Sequence, residues 1–252
     1  MTSSTRKDRA FAIGIHTIPA HISTSSFRTN VERFFDALIA TPIAQKHHLK
    51  VDLYFQRQEL DEALAATGLP KSRPTVLVLY ESDTQDQLND IFANAEVAQL
   101  YLGSNFGFNE NASTFSVEAF TVFERSTSAR ETGKRGVGIF RLPTHLSPQQ
   151  FAERSRLYAE QFAPLLAGHA DALTSYQVFF QNQNLEHHAR ALRHAGSEPW
   201  IVSNLAMTDT DTWKTLKEVL EKPEAKQVIK DLMVDFRFGE ESYFFSADKV
   251  SK

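Results

Sequence analysis

Ala12-Ile-Gly-Ile-His-Thr-Ile-Pro-Ala-His-Ile-Ser23 and Gly136-Val-Gly-Ile-Phe-Arg-Leu-Pro-Thr-His-Leu-Ser147 read as two versions of one stretch. Gly14 falls on Gly138, Ile15 on Ile139, Pro19 on Pro143, His21 on His145 and Ser23 on Ser147, all at an offset of 124. Phe27 falls on Phe151 at the same offset. Further along, Tyr54-Phe-Gln-Arg-Gln-Glu-Leu60 resembles Phe179-Phe-Gln-Asn-Gln-Asn-Leu185 at an offset of 125, and Pro74 matches Pro199. Glu96, Gln99 and Phe108 meet Glu224, Gln227 and Phe236 at 128. Drift of this size is what changes in loop length produce, so the sequence predicts a tandem duplication.

Each copy reads as β-α-β-β-α-β. The opening strand, Phe11–Ile18 or Val137–Leu142, is short, β-branched and closed by proline. Ser23 and Ser147 stand as helix N-caps, the second followed by Pro148 at the first helical position. Phe27, Val31, Phe34, Phe35 and Leu38 then recur on one helical face. Strands are expected at 51–56, 75–80 and 114–123, and again at 174–181, 200–206 and 242–250. Short helices are expected at 60–67 and 185–194. One long helix per copy carries Leu88 to Leu102 or Trp213 to Leu232. The units are 10–124 and 136–250, joined by an exposed linker, 125–135, with residues 1–9 a loose tail.

One such unit is an antiparallel sheet with both helices on one face. The strands are too apolar to leave the other face in water. Packing two sheets face to face within one chain predicts a closed α+β barrel of two ferredoxin-like repeats around a small-molecule pocket.

Composition narrows the partners. The chain has 252 residues, 42% hydrophobic and 23% charged, with a net charge of −4. That is a globular protein rather than a nucleic-acid binder. No apolar run approaches the roughly 20 residues a membrane span needs. With no cysteine and no apolar stretch after the N-terminal charges, the default compartment is the cytoplasm. Twenty phenylalanines indicate an aromatic core, part of which can wall a pocket for a small hydrophobic or aromatic molecule.

The run Leu142-Pro-Thr-His-Leu-Ser-Pro-Gln-Gln-Phe151 resembles the strand, turn, Leu-Ser-Pro-x-x-Phe and helix of the EthD-like members of the dimeric α+β barrel superfamily. The segment Glu224 to Phe236 is similar to that family's helix ending in Asp-x-x-Phe. The resemblance covers about residues 10 to 250 and implies the barrel fold. It also implies chemistry of the kind the superfamily performs without a cofactor: cyclisation, isomerisation, decarboxylation or enolate oxygenation. The superfamily has haem enzymes too, but their Gly-x-x-Asp-Gly run is missing here. A barrel that only binds a hydrophobic ligand, or serves a stress-related role, is the alternative reading, with haem binding third. Further dimerisation of the closed chain stays open.

Comparison with cyclase members of the superfamily places Ala12, Gly14 and His16 on barrel-facing positions and Asn105 near a second catalytic position. His16 is the candidate general base, since imidazole titrates near neutrality. Asn105 and Tyr80 are candidates to hold an oxyanion. Gly14, Gly138, Tyr54 and Phe140 are candidate ligand contacts, the glycines by leaving room. His21 and His145 share a turn position. His47-His48 and His187-His188 are neighbours whose side chains diverge on a helix, and no His-Glu-x-x-His run supports a metal. Phosphate loops and a Gly-x-Ser-x-Gly elbow are absent as well.

Overall fold

Caps and prolines set the helix starts, and the computed structural model places them where the sequence does. It describes residues 4–66, 68, 71–109, 112–125, 133–169, 172–182, 184–192, 194, 200–207, 212–236 and 242–252. The first half runs β1 (Ser4–Thr17), α1 (Thr24–Ala40), α2 (Pro42–Lys46), β2 (Lys50–Arg57), α3 (Asp61–Ala66), β3 (Thr75–Ser82), α4 (Gln85–Ala93), α5 (Ala95–Gly103) and β4 (Ala112–Glu124). The second runs β5 (Lys134–Arg141), α6 (Pro148–Ala167), β6 (Leu173–Gln181), α7 (Glu186–Ala191), β7 (Trp200–Met207), α8 (Thr212–Glu221), α9 (Pro223–Phe236) and β8 (Tyr243–Ser251). The Ser23 hydroxyl accepts the Ser26 N–H. The Ser147 hydroxyl accepts that of Gln150, whose side-chain oxygen accepts the Ser147 N–H in return, completing a capping box.

Two expectations need correction. The single long helix expected in each half is two. Asn94 ends α4 and its side chain caps α5 by accepting the Glu96 and Val97 N–H groups. Pro223, which has no N–H to give, opens α9 directly after α8. The expected tail belongs in part to β1, because Ser4 to Arg6 pair with Thr121 to Ala119 of β4 before the ladder breaks and resumes at Phe11 and Val117. Most of the expected linker, 126–132, lies outside the described residues, as does Pro199.

The eight strands close into one antiparallel barrel in the order β1-β3-β2-β8-β5-β7-β6-β4. Each half contributes a four-stranded sheet, and the halves join where β2 pairs with β8 and β4 with β6. Strand side chains alternate between barrel interior and helix layer. The interior holds a buried apolar cluster. Phe11, Ile13 and Ile15 of β1 meet Phe115 and Val117 of β4, Phe179 of β6 and Phe245 of β8, with all eight strands contributing. Two outer layers hold the rest of the core, each between one half's sheet and its helices.

The halves are interlocked. Leu60 and Leu64, beside and within α3 of the first half, pack into the second half's layer. Leu185 and Leu192, flanking α7 of the second half, pack into the first half's layer. Among the described residues no helix is long and apolar enough to cross a membrane.

Phe245 is fully buried in the barrel interior. Phe245→Ala should cost about 3–5 kcal/mol of unfolding free energy, whereas Leu157→Ala on the exposed face of α6 should cost under about 0.5. Urea unfolding followed by tryptophan fluorescence would check both.

Candidate ligand cavity

The strand alternation that fills the barrel moves His16 out of it. Ala12 packs in the first half's helix layer, and His16, in phase with it, stacks on Phe108 with ring centroids 3.8 Å apart. The expectation that Ala12, Gly14 and His16 face the barrel is therefore corrected. Their neighbours Phe11, Ile13 and Ile15 do so instead.

The His16 Nδ1–H donates to the Phe108 carbonyl at 2.9 Å, which leaves Nε2 as the unprotonated nitrogen, buried and without a hydrogen-bond partner among the described residues. His194 stands edge-on at 5.7 Å. Its Nδ1 lies 2.8 Å from the Thr114 hydroxyl and its Nε2 3.0 Å from Asn109 Oδ1. Burial above all, then the neighbouring His194, lowers the His16 pKa to about 3, against a pull upward from the Phe108 carbonyl. Burial likewise lowers His194 to about 4. Both rings are neutral at pH 7.

The other expected site residues scatter. Tyr80 faces the same helix layer, with its hydroxyl 2.7 Å from that of Tyr101. Asn105 is exposed on a shallow surface groove bounded by Asn30, Arg33 and Leu100. Tyr54 does face the barrel interior, where it accepts a hydrogen bond from the Asn204 side chain at 3.2 Å. Gly14 leaves room for imidazole rather than for a ligand, since a Cβ there would stand 2.8 Å from His16 Nε2. Among the described residues, no group of three or more His, Asp or Glu side chains comes together as a metal site would require.

Space for a ligand lies elsewhere. An apolar cavity of about 100 Å³ sits between the second half's sheet and its helices. Phe140, Ile201 and Leu205 line it from the sheet, and Ala159, Leu216 and Phe236 from the helices. Leu60 and Leu64 close it from the first half. Ser155, Ser203, Tyr158 and Tyr176 are the hydroxyl-bearing residues of its lining. Phe140, expected as a ligand contact in the barrel, lies instead on the helix side of the sheet, where it lines this cavity. Gly138 lies just behind the lining, because a Cβ there would stand 2.4 Å from the Phe244 ring and 2.5 Å from the Ser203 hydroxyl. A more open pocket of about 240 Å³, lined by Asp61, Glu62 and Lys71, shares Leu64 and Phe244 with the cavity.

Side-chain size explains why one half is hollow and the other full. In the first half Ala12 pairs with Tyr80 across the ladder, and in the second Gly136 pairs with Leu205. At the same distance from its N-cap, α1 carries Phe35 and α6 carries Ala159. In the first half Phe35, Tyr80, Phe92, Tyr101 and Phe108 interlock edge to face, tilted or, for Tyr101 and Phe108, stacked, with centroids 5.2 to 6.3 Å apart where they meet. In the second half Phe140, Phe151 and Tyr158 gather around Phe236, and Ala159 and Leu205 stand where Phe35 and Tyr80 complete the first block.

The sequence reading missed Ser155, Ser203, Tyr158 and Tyr176. The signal was available: Ser155 and Ala159 occupy the face of α6 on which Val31 and Phe35 fill the first helix.

No protein-family profile matches this sequence, and no curated protein matches it. Solved structures do match in shape. An anthrone oxidase-like protein aligns with a TM-score of 0.62 at 9% identity, over 100% of this chain and 96% of its own. A protein of Fusobacterium nucleatum subsp. nucleatum, named for monooxygenase activity, aligns with a TM-score of 0.50 at 8% identity, over 96% of this chain and 92% of its own. At such identities the likeness is one of fold.

The two lowered imidazole pKa values set a direction for acid stability. The unfolded chain binds protons near pH 6.5, while the folded chain resists them down to about 3 and 4. The stabilisation is complete above about pH 6.5 and is lost progressively as pH falls through that window. The melting temperature should drop between pH 7 and 4.5, and His16→Phe should flatten the drop; calorimetry across that range checks both.

Proposed function

We propose that the chain binds a small, ring-sized apolar or aromatic molecule in the cavity of its second half, with the first half as packed scaffold. The observation that supports this best is the cavity itself: a space walled by aliphatic and aromatic side chains, in a layer whose counterpart in the same chain carries a cluster of buried aromatic rings. Cavities of about 150 Å³ lined by such residues stay dry and take up single aromatic rings. At about 100 Å³ this one suits a molecule of that order, with slight give in its walls. Leu64 and Phe244 border both the cavity and the outer pocket, so the path inward would run beneath α3.

Catalysis on the bound molecule is the second reading. The names of the fold neighbours, oxidase-like and monooxygenase, favour it, as does one pair at the cavity wall. The Tyr158 hydroxyl donates to Asp235 Oδ2 at 2.8 Å, and Asp235 also meets Arg154 at 3.0 Å. Burial first, and Asp235 second, push the Tyr158 pKa up, so the phenol keeps its proton at neutral pH and holds the Asp235 carboxylate in place. Proton transfer at carbon, whether in cyclisation, isomerisation, decarboxylation or enolate oxygenation, would then use this pair rather than His16, and the reading invokes no cofactor.

We further propose that the two halves are copies of one EthD-like unit. The order β4-β1-β3-β2 in the first half has its counterpart in β8-β5-β7-β6 in the second, which supports that reading alongside the matched residues.

Ala159→Phe, which installs the first half's residue, should fill the cavity. Titration calorimetry with toluene should give binding to the native chain and none to this variant, with folding retained by circular dichroism. Equal binding by both would remove the cavity from consideration. Tyr158→Phe should leave toluene binding within about twofold, since it deletes one wall hydroxyl and no apolar surface. In the catalytic reading the same variant loses turnover on whichever aromatic substrate the native chain converts.

A further inference from the structure

We infer that Ser155 is the specificity-determining contact of the cavity, and that the ligand presents a hydroxyl or carbonyl oxygen to it: a phenol-like or ketone-bearing ring rather than a hydrocarbon. The inference rests on the cavity reading above and goes beyond it by naming the ligand's polar group and its partner.

Ser155 is 7% exposed, it lines the cavity, and its hydroxyl has no hydrogen-bond partner among the described residues. A serine inside a helix ordinarily satisfies itself by bonding back to the carbonyl one turn earlier. Here that bond is not made. Burying an unpaired hydroxyl is costly, and a native chain tolerates it where something outside the chain completes the bond.

Comparison within the molecule sharpens the point. At the same distance from the N-cap, α1 carries Val31, an apolar residue in a filled layer. The unpaired hydroxyl thus appears where the space appears. The sheet shows the same change: Val78 pairs with Gly14 across the ladder, whereas Ser203 pairs with Gly138. Ser203 lines the cavity from the sheet and Ser155 from α6, so a serine stands on each side of the space. A serine hydroxyl both donates and accepts, so it suits a phenolic O–H or a ring carbonyl equally. The rest of the lining is apolar enough that this one bond would orient the ring.

Phenol and toluene, nearly the same size, separate the possibilities. Their dissociation constants are measured by calorimetry on the native chain, Ser155→Ala and Ser155→Thr. For Ser155→Ala the phenol-to-toluene affinity ratio should fall about five- to tenfold, the worth of one hydrogen bond, with toluene binding within twofold of native. Ser155→Thr, which keeps the hydroxyl, should restore the ratio. Without ligand, Ser155→Ala should melt at or above the native temperature, since it removes an unmet group; a serine with a structural role would melt lower. An unchanged ratio in Ser155→Ala overturns the assignment while leaving the cavity reading standing. So does a lowered melting temperature with both ligands weakened alike. Failure of both probes to bind the native chain sinks the cavity reading and this inference together.

Discussion

Closure of the barrel is the constraint that organises this chain. Eight strands in one ring leave no free edge, but they also leave no strand with a face to water: one side meets the barrel interior and the other meets helices. The strands are therefore apolar on both sides over most of their length, with the exposed Lys50, Arg57 and Glu118 and the buried Arg135 among the exceptions. The interior is answered by side chains from all eight strands, led by Phe11, Phe115, Phe179 and Phe245. The cavity lies between sheet and helices, where the two halves make different choices from the same frame.

Those choices come down to a handful of positions. Phe35 and Tyr80 complete an aromatic block in the first half, while Ala159 and Leu205 in the second leave it unbuilt. The buried imidazole of His16 belongs to the full layer, locked by the Phe108 carbonyl and the Phe108 ring. Its low basicity follows from that packing: a base that water and ligand cannot reach gains nothing from a well-placed nitrogen. The hollow layer holds hydroxyls in place of imidazole. Chemistry there would run through Tyr158 and Asp235, at the wall rather than the centre.

Much of the architecture was legible because it rests on local rules. Ser147-Pro148 starts a helix wherever it occurs, and the matched strands around Gly14 and Gly138 announced four-stranded sheets that pack through their apolar faces. The split at Asn94 was hidden because an asparagine cap looks, in sequence, like one polar residue on a continuing helix. The facing of β1 was hidden for a deeper reason. In Ala12-Ile-Gly-Ile-His16 both alternating sets are apolar or small, as a strand buried on two sides demands, so period two says that faces exist without saying which is inner. His194 could not be placed beside His16 from sequence, since nothing local joins residues so far apart along the chain. The cavity was readable in principle from Ala159 against Phe35, because an absent side chain is visible once there is a reference to subtract it from.

The exchange of connecting helices carries one more implication. Leu60 and Leu64 roof a chamber whose other walls all come from beyond residue 134, and Leu185 and Leu192 repay the contact in the opposite direction. Neither half owns a finished core. A guest in the chamber therefore presses on chain from both ends of the sequence, and its free energy of association is felt as cohesion between the halves. The half that offers no chamber of its own would still be held more firmly whenever the other is filled.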